Sequence, residues 1–322
     1  MKRLVAIVLA AWSAWSTPVV AWDDFGHMEV AAVAWNDLSP TIRDRAVALL
    51  KLNPQYQEWT EDVPNKDKGM VAFLRAATWP DFIRGAKGYK DDGAVPPNNA
   101  TATRNIGYAD QLLHRYWHFV DIPFSPDGTK LPAIVQPNAQ TQIAAFREAL
   151  ASPADVNDDI RSYDLVWLLH LVGDIHQPLH ATGRHTATNK DGDRGGNEVK
   201  VTPPCAQCKE TRLHSYWDEI LSPKQGDGDV DDSRVTPQEA MKAALALPKA
   251  DPKLAATSDE KVWIGESFEL AQAHVYRLPP IGHGNGPFVL TADYERDAIK
   301  LAKERVALAG ARLANLLEKA LK

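Results

Sequence analysis

Two stretches of this chain repeat one chemical spacing. His170 and Asp174 stand four residues apart in His170-Leu-Val-Gly-Asp174, and His214 and Asp218 stand four apart in His214-Ser-Tyr-Trp-Asp218. On a helix, residues four apart share a face. Trp167, Leu168, Leu169, Leu171 and Val172 surround the first pair, so that face is expected to be buried. A buried carboxylate beside an imidazole needs a cation or a dense hydrogen-bond network. Imidazole and carboxylate together suit zinc, and helical i, i+4 pairs are a common way to hold it. His180 follows Pro178, which must end the helix and lets the chain fold back to the same place. Either pair alone also fits an ordinary hydrogen bond. Two pairs with aromatic flanks, together with His180, bring metal binding level with that reading.

Weaker fragments point the same way. Thr78-Trp79-Pro80-Asp81-Phe-Ile-Arg84 puts a carboxylate and a guanidinium one turn apart. Tyr116-Trp117-His118-Phe119-Val120-Asp121 sets a His and an Asp in an apolar run, and Trp22-Asp-Asp-Phe-Gly26-His27 adds another histidine. Taken singly, Asp81 reads equally well as a turn or helix cap, and His118 as a satisfied core histidine.

In this order, the segments resemble the zinc-dependent single-strand-specific nucleases and 3′-nucleotidases secreted by fungi, plants and bacteria, a family that shares its fold with zinc-dependent phospholipases C. The shared pattern runs from Trp22 to Asp218: a Trp with a His five residues on, Trp-x-Asp, His-Phe-x-Asp, His-x-x-x-Asp followed by Gln-Pro-Leu-His, Gly-Gly-Asn and His-x-x-Trp-Asp. The resemblance implies three zinc ions. Asp81, His118, His170 and Asp174 would hold one; His180, His214 and Asp218 the second; and Trp22, through its α-amino nitrogen and carbonyl oxygen, with His27 and Asp174 the third. Asp174 would bridge two metals. Only a free amine at Trp22 can serve, and an α-amino group loses its proton to zinc readily.

The implied reaction is in-line attack on phosphorus by a zinc-bridging hydroxide, giving 5′-phosphates. By the same resemblance Asp81, Arg84 and Asp174 would carry the catalytic roles: Asp81 would orient the nucleophile and Arg84 would reach the phosphate. Phe119 would stack a base, Asp121 would accept from its edge, and Asn197 with the backbone of Gly196 would complete the base site. Stacking is tolerant of sequence but needs an unpaired base. The implied substrates are single-stranded RNA and DNA and 3′-nucleotides, with phospholipid the alternative on the same scaffold. No stable protein partner is implied, and the chain is expected to act as a monomer. A zinc-binding protein without turnover is the non-enzymatic alternative.

Apolar periodicity predicts helices near 26–38, 40–51, 69–77, 104–118, 138–150, 158–176, 208–221, 236–247, 258–277 and 291–321, and one credible strand at 197–202. The fold class is therefore mainly α: a single-domain multi-helix bundle of the phospholipase C and nuclease type, with at most a small β-hairpin. Lys2 and Arg3 before the apolar run from Leu4 to Trp12, with Val19-Val20-Ala21 as a cleavage site, read as a signal peptide over 1–21. The domain would then span 22–322, and the protein would be secreted or periplasmic. The net charge of −6 becomes −8 once Lys2 and Arg3 are gone, which excludes tight nucleic-acid binding through a broadly basic surface. Bound metal would supply the positive charge locally.

Cys205 and Cys208 are the two cysteines. In an exported protein a disulfide between them is the default, with free thiols or a metal role as alternatives. His176 lies between two proposed ligands and reads as a supporting or surface residue, while His114, His185, His274 and His283 have no assigned chemistry. Asp227-Gly-Asp229-Val-Asp231-Asp232 faintly resembles a calcium loop but has Asp232 where the turn glycine belongs and Gln238 where a bidentate Glu is needed, so it reads as an exposed acidic loop. Asn99-Ala-Thr101 is a glycosylation sequon that matters only in a eukaryotic secretory pathway.

Overall fold

Between Ser162 and Asp174 the chain is apolar on every helical face, and such a helix has to be wrapped by others. The computed structural model, which describes residues 22–223 and 235–322, shows this arrangement. Helix α7 (Asp158–Asp174) is buried at every residue from Ser162 onward. Asn157 caps its start by accepting from the Ile160 N–H at 3.0 Å. Asp158 and Asp159 in the first turn complement the helix dipole. Around it pack α1 (Asp24–Asp37), α2 (Pro40–Leu50), α4 (Lys68–Ala76), the short α5 (Trp79–Phe82), α6 (Ala139–Leu150) and α12 (Ala292–Ala320). Helix α12 is roughly 43 Å long at 1.5 Å per residue, and it lies against α1. The helices meet closely at Gly310, where a Cβ would strike Val33. Short α3 (Tyr56–Thr60), α8 (Leu213–Asp218), α9 (Pro237–Ala244), α10 (Pro252–Ala255) and α11 (Glu260–Leu270) complete the bundle among the described residues.

The core is aromatic as well as aliphatic. Trp117 and Trp167 meet edge to face at 5.1 Å, with Phe146 and Tyr163 beside them. These rings brace the inner face of α7 next to His118 and His170.

The fold is mainly α as expected, but the β content exceeds one hairpin. Strand β3 (Lys200–Thr202) pairs antiparallel with β4 (Thr211–Arg212) and parallel with β5 (Phe288–Val289). A separate parallel pair joins β1 (Pro123–Phe124) to β2 (Gly183–Arg184). That pair has a positional consequence: with the Val120 N–H donating to the His180 carbonyl at 2.7 Å, it ties the 118–122 segment to the His180 segment. Cys205 and Cys208 are disulfide-bonded and close the turn between β3 and β4.

Three helix predictions need correction. Residues 104–118 form two 3-10 turns, Gly107–Ala109 and Arg115–Trp117, separated by extended chain. Apolar spacing there reflects the burial of Leu113, Tyr116 and Trp117, not a helix. The helix expected over 208–221 spans only α8, because Thr211 and Arg212 are taken up in β4. The helix expected over 258–277 ends as α11 and continues as a π-helical turn, Ala271–Val275. The signal-peptide reading of 1–21 and the acidic loop at 227–232 lie outside the described residues. Among the described residues no helix is long and apolar enough to cross a membrane.

Candidate metal centre

Helix α7 delivers the first ligand candidates. One turn of helix sets His170 and Asp174 on its inner face, and both are fully buried. The His170 Nδ1 lies 2.7 Å from the Ala77 carbonyl. A carbonyl can only accept, so Nδ1 carries the proton and Nε2 presents a lone pair. That lone pair lies 3.0 Å from His118 Nδ1, 3.3 Å from Asp174 and 3.7 Å from Asp81. His27, from α1, stacks on His170 at 3.9 Å and puts its Nε2 3.3 Å from Asp174. Helix α7 admits that ring because Gly173 has no side chain; a Cβ there would lie 3.0 Å from His27 Nδ1. Asp81 is aimed inward from α5, which is anchored by the buried Trp79 and its Nε1–H bond to Gln55 at 2.7 Å.

A second cluster sits beside the first. His180 and His214 face each other, Nε2 to Nε2, at 3.1 Å. Both Nδ1–H groups are committed to backbone carbonyls, that of His118 at 2.8 Å and that of Gly195 at 2.6 Å. Gly195 is required there: its φ is +63° and a Cβ would run into the Leu179 carbonyl. Asp218 closes the group, with Oδ2 3.6 Å from His214 and Oδ1 accepting from Gln177 at 2.7 Å.

Trp22 and Asp23 link the segments that carry the two clusters. The Trp22 indole donates to the Gly173 carbonyl at 3.1 Å, and Asp23 donates its N–H to the Asp218 carbonyl at 3.2 Å. The start of α1 is thereby tied to the ends of both ligand-bearing helices.

The donor set fits a metal. Donor atoms of His27, His170 and Asp174, of Asp81, His118 and His170, and of His180, His214 and Asp218 form three groups, each within 4.8 Å. Both His27 ring nitrogens, Asp81 Oδ2 and Asp174 Oδ1 are buried without hydrogen-bond partners. Native proteins rarely leave such atoms unsatisfied. Burial holds the imidazoles of His27 and His170 below the ordinary histidine range and those of His118 and His180 well below it, so they are neutral. It pushes the Asp174 carboxyl upward, against the neighbouring His27, and the Asp218 carboxyl well up, against Gln177. A bound dication would oppose the shift at both carboxylates, and imidazoles whose far protons rest on carbonyls are already in the ligating tautomer.

The turn joining Asp174 to His180 is held from outside. Ser267 donates to the Ile175 carbonyl at 2.6 Å, and Arg305 donates to the His176 carbonyl at 3.2 Å and to Ser267 Oγ at 3.0 Å. Arg312 bonds His176 Nε2 at 2.9 Å and grips Glu266 with two contacts of 2.7 Å. His176 is fully buried in this network, so of the two readings the surface one is excluded. Sequence reasoning missed Glu266, Ser267, Arg305 and Arg312. A signal was present in the two arginines on an otherwise core-facing stripe of α12.

A cleft of about 310 Å³ opens over the centre, and its walls include His118 and His214. Phe119, Asp121, Asn197 and Arg84 also line it, so the expected substrate residues share one space with His118 and His214. Gly196, with φ of +83°, lies beneath, against Leu213 and His214. Arg84 Nη2 lies 2.7 Å from Asp81, while its Nε and Nη1 are buried without hydrogen-bond partners. His114 is buried between Asp92 and Asp110, away from the centre, and His274 and His283 are exposed.

A mainly α bundle here encloses adjoining His/Asp clusters that could hold metal beneath a cleft. Residues 22–322 match the model of a family described as S1/P1 Nuclease. The chain belongs to that family, and is by class a metal-dependent nuclease. Curated relatives include Endonuclease 3 of Arabidopsis thaliana, 24% identical over 93% of this chain and 89% of the relative. Endonuclease 4 of the same plant is 28% identical over 53% of this chain and 56% of its own length. Endonuclease 2 is 25% identical over 67% and 61%.

Proposed function

We propose that this protein is an exported zinc-dependent endonuclease with 3′-nucleotidase activity, acting on single-stranded RNA and DNA and releasing 5′-phosphates. The observation that carries the reading is the facing of buried imidazole nitrogens and carboxylate oxygens in three adjoining groups, opening on one cleft.

Three zinc ions would be held by Asp81, His118, His170 and Asp174; by His180, His214 and Asp218; and by the Trp22 amine and carbonyl with His27 and Asp174. When bound, they would supply a water acidified to near neutral pH and positive charge for the phosphoryl group. The remaining roles belong to the chain. Asp81 orients the attacking water. Arg84, already inside the cleft, would donate to a phosphoryl oxygen from the N–H groups not facing Asp81. Phe119 offers a face for an unpaired base. Asp121 and Asn197 meet its edge, and the Asn197 Nδ2–H is committed to the Arg194 carbonyl at 2.8 Å, which leaves Oδ1 for the substrate.

Removal of 1–21 is part of the proposal, since only then is the Trp22 amine a ligand. The proposal also takes the enzyme to be a monomer outside the cytoplasm. The test is hydrolysis of single-stranded RNA and DNA by the 22–322 form with metal counted on the same sample. Chelator-sensitive release of 5′-mononucleotides with about three zinc per chain is expected. Zinc-loaded protein that cleaves phosphatidylcholine and not RNA would overturn the substrate, and protein without zinc would overturn the centre.

A further inference from the structure

Among the described residues two non-glycine residues have positive φ, His114 and Arg194. His114 is held there by a buried network with Asp92, Asp110 and Tyr116. Arg194 is different. Its φ is 55° and its side chain is 52% exposed, so no comparable burial secures it. Gly192, Gly195 and Gly196 around it also have positive φ, and a glycine at 194 would satisfy this backbone without strain. What arginine adds is a guanidinium at the cleft, whose lining includes Arg194 together with Phe119, Asp121 and Asn197.

Three arginines line that cleft, and they are not equivalent. Arg84 stands 2.7 Å from Asp81 and Arg115 stands 3.0 Å from Asp91. Arg194 stands 3.8 Å from Glu198, whose side chain is 49% exposed, and such an exposed pair is weak. The loop carrying Arg194 is fixed. Asp193 accepts from the Arg184 N–H at 2.9 Å and from the Tyr276 hydroxyl at 2.8 Å, and the Arg194 carbonyl holds the Asn197 amide. A fixed loop thus presents a cation beside the proposed base site.

The charge balance shows what that cation is for. A polynucleotide places a further phosphate next to each base, and Asp121 and Asp191 in the same cleft would repel it. Arg194 already acts electrostatically on Asp121, opposing the upward push from burial and Asp193. We propose that Arg194 is a specificity-determining residue: it binds the phosphodiester flanking the nucleotide seated at Phe119, Asp121 and Asn197, and so favours polynucleotides over mononucleotides. This rests on the nuclease reading above.

The test compares Arg194→Gly and Arg194→Lys with the wild type on a short single-stranded oligonucleotide and on a 3′-mononucleotide, across a range of salt. Glycine keeps the backbone conformation, so folding and the hold on Asn197 survive. Arg194→Gly is expected to lose about tenfold in kcat/KM on the oligonucleotide, mainly through KM, with the salt slope reduced by about 0.7. The loss on the mononucleotide is expected to be several-fold smaller, and Arg194→Lys to restore much of the difference. Equal losses on both substrates, or an unchanged salt slope, would overturn the subsite. Absence of wild-type turnover on either substrate would overturn the nuclease reading itself, and the subsite with it.

Discussion

His180 and His214 point their Nε2 atoms at each other across 3.1 Å, with both Nδ1 protons already bound to backbone carbonyls. Two imidazole lone pairs at that distance repel unless a cation or a proton lies between them. Burial keeps His180 well below the ordinary histidine range, which disfavours the proton. Metal binding is therefore expected to stabilise the fold directly. Zinc at about a hundred times its dissociation constant contributes about 2.7 kcal/mol per site. A melting curve of the 22–322 form should shift up with zinc and down with chelator, and His214→Ala should shrink the response. Identical curves with and without chelator would exclude the second cluster as a metal site.

Asp174 is the group both halves of the first cluster share. It lies 3.3 Å from His27, 3.1 Å from His118 and 3.3 Å from His170. Asp174→Asn keeps shape and removes one anionic oxygen. If Asp174 bridges two metals, this variant should lose at least one zinc per chain and at least about a hundredfold in turnover. Retention of full zinc and full activity would end the bridging assignment.

The ligand-bearing turn gives a prediction about residues far from the chemistry. Arg305 and Ser267 together engage the carbonyls of Ile175 and His176, between Asp174 and His180. Arg305→Met leaves Glu266 with Arg312 alone and frees the His176 carbonyl. Zinc affinity, read by chelator competition, should fall by about ten- to a hundredfold, as for other residues that support ligands. Arg305→Lys should recover part of it. Lowered melting temperature with unchanged zinc affinity would mean that the network braces the fold and not the centre.

His170 with Asp174 and His214 with Asp218 were legible because helical period alone puts each pair on one face. The contact between His27 and His170 was not, since it depends on α1 lying against α7 at Gly173. The Glu266, Arg305 and Arg312 network was invisible for the same reason: α11 and α12 reach the end of α7 only in the fold. Residues 104–118 misled because buried Leu113, Tyr116 and Trp117 mimic helical spacing. There the left-handed His114, held by Asp92 and Asp110, turns the chain away from a helix.

Asp164 should make stability depend on pH in a definite sense. It is fully buried on α7, accepts from Asn105 at 2.6 Å through Oδ1, and has no partner at Oδ2. Burial pushes its carboxyl up to about 8, far above the roughly 3.9 of an unfolded chain. The folded state therefore binds more protons than the unfolded state between those values. Stability from this group is complete below about pH 4, declines as pH rises, and is lost above about pH 8. Glu29, also pushed up to about 8 by burial, adds a second contribution of the same sign. Asp164→Asn removes the titration and keeps a group that can pair with Asn105. The difference in melting temperature between Asp164→Asn and the wild type should then move in the variant's favour from pH 5 to pH 8. A difference that stays flat across this window would show that Asp164 is ionised in the folded protein.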